Sequence, residues 1–149
     1  MYKTTQLLLL DQLIKWGIYY HMIPTIHTPI LTTTLVLNQG ITLGWMSYIP
    51  STLIILLQIS ALWIIMLQPL PIGIRRLCLA GGISNIIDRI FAGGVIDYLQ
   101  FHFMGWQWPA VINLADLYLC AALFYWFFTM NKEDSDKTSI LAKGTLQSD

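Results

Sequence analysis

Residues 81–97 read GGISNIIDRIFAGGVID, and this stretch places Asp88, Arg89 and Asp97 inside or beside a long apolar run. A second run, Ile112-Asn113-Leu114-Ala115-Asp116, adds another carboxylate in similar surroundings. An ionisable side chain in an apolar, membrane-like segment is costly, and it therefore indicates a functional site. The fold is predicted to bring these carboxylates together.

The composition defines the class of protein. The chain has 149 residues, of which 56% are hydrophobic and only 11% are charged, so we predict an integral membrane protein. The formal net charge is zero and no long basic run occurs, which excludes a nucleic-acid partner. Cys78 and Cys120 lie in apolar segments and lack the Cys-x-x-Cys or Cys/His spacing of a metal site. We therefore expect no disulfide, no metal and no other cofactor.

Four apolar segments are each long enough to cross a hydrocarbon core of about 30 Å at about 1.5 Å per residue. They run over residues 5–23, 49–67, 72–90 and 108–130. The β-branched residues of Thr32-Thr33-Thr34-Leu35-Val36-Leu37, followed by Asn38-Gln39-Gly40, predict short strands and a turn. The predicted fold is an all-α membrane protein of four transmembrane helices, with a small extracytoplasmic β segment and an outer loop over the site.

The charge pattern predicts the orientation. Four spans place both termini on one side, and the bases that fall there are Lys3, Arg75, Arg76, Lys132, Lys137 and Lys143. The positive-inside rule makes that side cytoplasmic. The outer loops are then 21–47 and 91–107, and residues 131–149 form a polar cytoplasmic tail that we expect to be disordered.

This topology gives each carboxylate a depth. Asp88 lies twelve residues beyond Arg76, about 18 Å along an outward-going helix. Asp116 lies eight residues inward from Trp108, about 12 Å below the outer surface. Asp97 belongs to the outer loop, so all three carboxylates can meet near the outer leaflet.

Polar residues at helical spacing accompany the carboxylates. Asn85 precedes Asp88, and Asn113 precedes Asp116, by three residues, so each aspartate has an amide on its own helix face.

Asp11 and Lys15 are four residues apart in the first span and partly neutralise each other. Because no small-residue cleavage site follows, we interpret this span as an uncleaved anchor and not as a signal peptide. A structural ion pair and a role in substrate binding both remain open for these two residues.

Two carboxylates that share a site do not both ionise easily, so one keeps a proton while the other acts as a base. Such a pair can deprotonate a water, direct it at a peptide carbonyl and protonate the leaving amine. Asp116 could pair with Asp97 or Asp88. Arg89 and Asn85 give Asp88 local partners that suit a structural brace, so we predict an Asp97–Asp116 dyad.

A transporter or channel subunit coupled to protons or cations is the alternative from another class. It would use Asp11, Asp88 and Asp116 as intramembrane sites. Such a protein would distribute its charges across the membrane and carry internal repeats, and the sequence shows neither pattern clearly.

An ordered set of motifs resembles the lipoprotein signal peptidase family, also called signal peptidase II or prolipoprotein signal peptidase. The motifs are Asp11-Gln12-Leu13-Ile14-Lys15, Asn38-Gln39-Gly40, Gly81-Gly82, Asn85-Ile86-Ile87-Asp88-Arg89, Gly94-Val95-Ile96-Asp97-Tyr98 and Pro109-Ala110-Val111-Ile112-Asn113-Leu114-Ala115-Asp116. The resemblance extends over the chain up to the tail. It implies a metal-independent aspartic endopeptidase of the bacterial inner membrane that cuts prolipoproteins before a diacylglyceryl-modified cysteine, in contact with membrane lipid and sensitive to globomycin-type inhibitors.

Carried over residue by residue, the resemblance makes Asp97 and Asp116 the catalytic pair. The supporting or substrate-binding residues it implies are Asp11, Lys15, Asn38, Gly40, Asn85, Asp88, Arg89 and Asn113. The sequence departs from the family pattern at four positions, with Ser84 for Gly, Leu43 for an aromatic residue, and Tyr98 and Ile112 for Phe. None removes a polar catalytic group, so we expect effects on packing and substrate fit.

Overall fold

The computed structural model describes the backbone of residues 2–40 and 48–145 and the side chains of residues 3–40 and 48–129. Leu43 lies outside the described residues. The elements in chain order are α1 (Tyr2–Tyr19), β1 (Leu31–Asn38), α2 (Ser51–Leu67), α3 (Ile72–Phe91), β2 (Val95–Phe103), β3 (Trp106–Ile112) and α4 (Leu114–Thr145).

Helix α3 is central, because it packs against α1, α2 and α4. Its two adjacent glycines permit this packing. A Cβ atom at Gly81 would lie 2.6 Å from the carbonyl oxygen of Ala115 in α4, and one at Gly82 would lie 2.7 Å from the Leu62 side chain in α2. The polar residues one turn further along α3 are thereby held between the neighbouring helices, as small residues allow in close helix pairs.

The three strands form an antiparallel sheet in the order β1-β2-β3. Gly93 links α3 to β2 with a φ of +76°, a conformation that few other residues adopt. A Cβ at Gly94 would lie 3.0 Å from the carbonyl oxygen of Asn38, so the end of β1 lies against this link. Asp97 pairs with Val36 across the sheet, which brings it beside the end of β1.

The architecture of four helices with a small sheet agrees with the sequence prediction at that level. Within the described part of the chain, no helix is both long and apolar enough to cross a membrane.

Several boundaries differ from the prediction. Helix α1 spans Tyr2–Tyr19 where residues 5–23 were expected, and residues 95–103, expected in an outer loop, form strand β2 because they pair with β1 and β3. Residues 106–112, assigned partly to the outer loop and partly to the fourth helix, form strand β3 because they pair with β2. Helix α4 therefore begins at Leu114 and not at Trp108. Its backbone remains helical to Thr145, through the segment where we expected a disordered tail.

Candidate active site

Asp97 is held by one asparagine from each side of its strand. Its carboxyl is almost completely buried, with 3% of the residue exposed. Asn38, at the end of β1, donates from Nδ2 to Asp97 Oδ2 over 3.1 Å. Asn113, which follows β3, donates from Nδ2 to Asp97 Oδ1 over 2.7 Å. The sheet register thus fixes this carboxyl from both neighbouring strands.

Asp116 is fixed at the start of α4 by a reciprocal cap. The backbone N–H of Asn113 donates to Asp116 Oδ2 over 3.1 Å, and the backbone N–H of Asp116 donates to Asn113 Oδ1 over 2.9 Å. This is the arrangement of a capping box, with Asp116 as the acidic member. Asn85 of α3 donates from Nδ2 to Asp116 Oδ1 over 3.1 Å. Three bonds therefore set the position of Asp116.

Asn113 joins the two aspartates, because its amide binds Asp97 while its backbone and side-chain oxygen bind Asp116. Burial and the nearby Asp116 carboxylate together raise the pKa of Asp97 to about 7, against the opposing effect of the hydrogen bonds from Asn38 and Asn113. A carboxyl that titrates near neutral pH beside a second carboxyl can share one proton with it. The structure thus brings together the pair predicted from the sequence.

Lys15 lies at the centre of a second, fully buried cluster. Its Nζ lies 2.8 Å from Asp11 Oδ2 and 2.7 Å from Asp88 Oδ2. It also donates to Asn85 Oδ1 over 2.8 Å. Asp11 in turn accepts the backbone N–H of Ala115 at the start of α4. The Asp11–Lys15 pair is therefore present and extends to both α3 and α4.

The partners of Asp88 differ from those proposed from spacing. Asp88 binds Lys15, Gln12 and the backbone N–H of Ile96, whereas Asn85 turns toward Asp116. The reason is that α1 packs on this face of α3 and supplies a cation that sequence neighbours do not. Asp88 therefore connects α3 to α1 and to the start of β2, and its role as a structural brace stays a prediction.

Arg89 supports the turn after β1. Its guanidinium donates to the carbonyl oxygens of Gln39, over 3.5 Å, and Gly40, over 2.8 Å. The N–H of Gly40 donates to Asn38 Oδ1, which orients the amide of Asn38 toward Asp97. Arg89 and Gly40 thus help to hold Asn38 against Asp97.

Two polar residues in the buried cluster escaped the sequence analysis as site residues. Ser84 donates its hydroxyl proton to Asp11 and accepts a hydrogen bond from Gln12 Nε2 over 2.7 Å. The same Gln12 amide reaches Asp88 Oδ1 over 2.9 Å. Ser84 was expected to affect packing, but it is completely buried among charges. The sequence did contain a pattern that could have identified these two residues, because Gln12 stands between Asp11 and Lys15 and Ser84 is next to Asn85.

A cavity of about 530 Å³ borders Asp116 on the side of α2. Its polar lining comes from Asn85, Arg89, Asp116 and Gln58, and the rest is mainly apolar. The departure at Ile112 contributes to this wall. Among the residues that the structure describes, no group of three or more His, Cys, Asp or Glu side chains is arranged to hold a metal ion.

The fold is similar to that of two solved structures. One solved structure described as a bacterial membrane enzyme matches with a TM-score of 0.73 and 21% identity, over 91% of this chain and 88% of that chain. A second, described in the same words, matches with a TM-score of 0.66 and 20% identity, over 86% and 89%. At these identities the likeness shows the fold alone.

The sequence profile of signal peptidase (SPase) II matches residues 4–132. The chain belongs to this family, as its motifs predicted. A lipoprotein signal peptidase of Polynucleobacter necessarius is 32% identical over 137 residues, covering 80% of this chain and 82% of the relative. A lipoprotein signal peptidase of Nitratidesulfovibrio vulgaris is 26% identical over 144 residues, covering 86% of each.

Proposed function

We propose that this protein removes signal peptides from prolipoproteins, cleaving before the diacylglyceryl-modified cysteine. Membership of the signal peptidase II family supports this activity, and the family is one of proteases. The observation that carries the proposal is the bridge of Asn113 between Asp97 and Asp116. The transporter alternative has no support from the relatives, which are peptidases.

The proposed mechanism is that of an aspartic protease, in which the dyad shares one proton and titrates as a pair. The ionised carboxyl takes a proton from a water molecule, and the water oxygen attacks the scissile carbonyl carbon. The protonated carboxyl gives its proton to the carbonyl oxygen. The tetrahedral intermediate then collapses as the leaving nitrogen takes the proton removed from water, and the first proton returns to the dyad.

The Lys15 cluster positions the dyad through Asn85. Lys15 and Asn113 both donate to Asn85 Oδ1, so the amide nitrogen of Asn85 faces Asp116. The opposite orientation would set the NH₂ group against the Lys15 ammonium and the amide oxygen against the carboxylate of Asp116. Asp11 and Asp88 both pair with Lys15, and this pairing makes a buried ammonium tolerable.

We place the enzyme in the bacterial inner membrane, with both termini cytoplasmic and the dyad near the outer leaflet. Large apolar side chains, including Trp63, Ile64, Phe124 and Phe128, are exposed on α2 and α4, which supports contact with lipid. A diacylglyceryl group would need about 0.8 kcal/mol per CH₂ to leave the bilayer, so the site should open sideways to lipid. Globomycin-type inhibitors are expected from the family resemblance.

Purified protein in detergent, incubated with a lipidated substrate peptide, tests the function. We expect cleavage before the modified cysteine, no effect of a chelator, and poor turnover of the unlipidated peptide. Failure to cleave would contradict the proposed activity. Loss of cleavage with a chelator, restored by added metal, would contradict the aspartic mechanism, and equal turnover of both peptides would contradict lateral access.

A further inference from the structure

We infer that Gln58 on α2 is a substrate-binding residue, whose side-chain oxygen accepts a hydrogen bond from a peptide N–H beside the cleaved bond. The inference rests on the proposed function. Gln58 lines the cavity of about 530 Å³ that also contains Asp116 and Asn85. Its Oε1 atom is buried and has no hydrogen-bond partner among the described residues.

An unpartnered buried acceptor calls for an explanation, because nearly all buried polar groups in folded proteins are hydrogen-bonded. Leaving one unpaired destabilises the unbound protein. The surrounding sequence, Leu-Ile-Ile-Leu-Leu before and Ile-Ser-Ala-Leu-Trp after, is almost entirely apolar, so another apolar residue at position 58 would avoid this cost. We therefore expect the substrate to supply the hydrogen-bond donor for the Gln58 side-chain oxygen.

A peptide backbone fits the free groups of the cavity better than an acyl chain does. A peptide segment that is extended for cleavage has no internal hydrogen bonds, and in apolar surroundings its N–H and C=O groups need partners. Gln58 supplies a free acceptor, and Arg89 Nε, also buried without a partner in the described residues, supplies a free donor. An acyl chain would use neither group.

Kinetics of Gln58→Leu, with Gln6→Leu as the matched control, test the inference. Gln6 is an exposed glutamine of α1. We expect Gln58→Leu to raise KM for the lipidated peptide about five- to tenfold with little change in kcat, since the bond is made in both the ground and the transition state. Gln6→Leu should match the wild type. The Tm of Gln58→Leu should equal or exceed the wild-type value, because the unpaired oxygen is gone.

Backbone-ester substrates, assayed with the wild type and with the Gln58 variant, provide a second measurement. Each peptide has one N–H near the cleaved bond, but not at it, replaced by oxygen. Replacement at one of these positions should raise the KM of the wild type about as much as Gln58→Leu does. In the Gln58→Leu variant, the same ester should have the same KM as the parent peptide. A Gln58→Met variant serves the same comparison if the leucine variant folds poorly.

The outcomes separate the two proposals. If the wild type cleaves and Gln58→Leu has the same KM, or if every ester is bound as well as the parent peptide, the Gln58 inference is wrong and the peptidase function stands. An ester effect that persists in the variant also refutes it. If the wild type cleaves no lipidated peptide, both proposals fall.

Discussion

Asn113 both caps α4 and contacts the two aspartates. Its backbone N–H and side-chain oxygen bind Asp116, and its amide nitrogen binds Asp97. The same residue ends β3 and precedes α4, so the fold itself sets the separation of the two carboxyls. We expect the aspartates around Asn113 to have different roles, some in the reaction and some in the stability of the fold, and substitutions distinguish these roles.

Replacement of either dyad member by asparagine should abolish catalysis while keeping shape. We expect Asp97→Asn and Asp116→Asn to lower kcat by about 10²- to 10⁴-fold, because general acid–base action contributes that much to the rate. Asp88→Asn should keep measurable turnover but lose stability, by about 1.5–3 kcal/mol, because the buried charge-assisted hydrogen bond from Lys15 is weakened while Asp11 still pairs with Lys15. Cleavage assays and thermal melts of the purified variants measure both effects.

The same three variants contain their own control. If folded Asp97→Asn cleaves the lipidated peptide while folded Asp88→Asn is inactive, Asp88 is the partner of Asp116 and the assignment is wrong.

The pKa of Asp97, raised to about 7 by burial and by the Asp116 carboxylate, predicts the pH dependence. The dyad needs one proton, so kcat should fall about tenfold per pH unit above the neutral range. Stability should change in the same direction. Asp97 is harder to ionise in the folded protein than in the unfolded chain, so its contribution is complete below its ordinary pKa of 3.8 and is lost as the pH rises through about 7.

Rate measurements and melting curves at several pH values from about 5 to 9 test this prediction. Asp97→Asn should flatten much of the change in Tm over the range in which Asp97 titrates. A kcat that stays level or rises in the alkaline range would show that the dyad does not depend on this proton.

At the scale of elements, the sequence predicted helices better than strand pairing. Apolar length indicated all four helices, and β-branched residues indicated β1. Residues 106–112 were misassigned because their apolar run leads directly into that of α4, and periodicity does not separate a short apolar strand from a helix start. Pro109 is compatible with β3, since this strand lies at the edge of the sheet.

Contacts between distant segments explain what the sequence left unresolved in the site. Spacing gave Asn113 and Asp116 as a local pair. They do interact, but through their backbone N–H groups and the Asn113 side-chain oxygen, while the Asn113 amide nitrogen binds Asp97 instead. Spacing could not show that Asn85 would turn from Asp88 to Asp116, because that depends on Lys15 arriving from α1. Nor could it show that Asn38, far along the chain, would reach Asp97, since this depends on the β1–β2 register.

For the whole molecule, the distribution of basic residues predicts which side of the membrane the dyad faces. Lys3, Arg75, Arg76 and the three lysines of residues 132–143 fall on one side of the proposed topology, and the loop with Gly93 falls on the other. Positive residues favour the cytoplasmic side. Reporter fusions after Met130 should therefore behave as cytoplasmic and fusions at Gly93 as exported. The reverse pattern would place Asp97 in the cytoplasm, where it could not meet prolipoproteins whose modified cysteine lies at the outer leaflet. That result would overturn the proposed placement of the site. The chemistry of the dyad would still be tested by the cleavage assays of the variants.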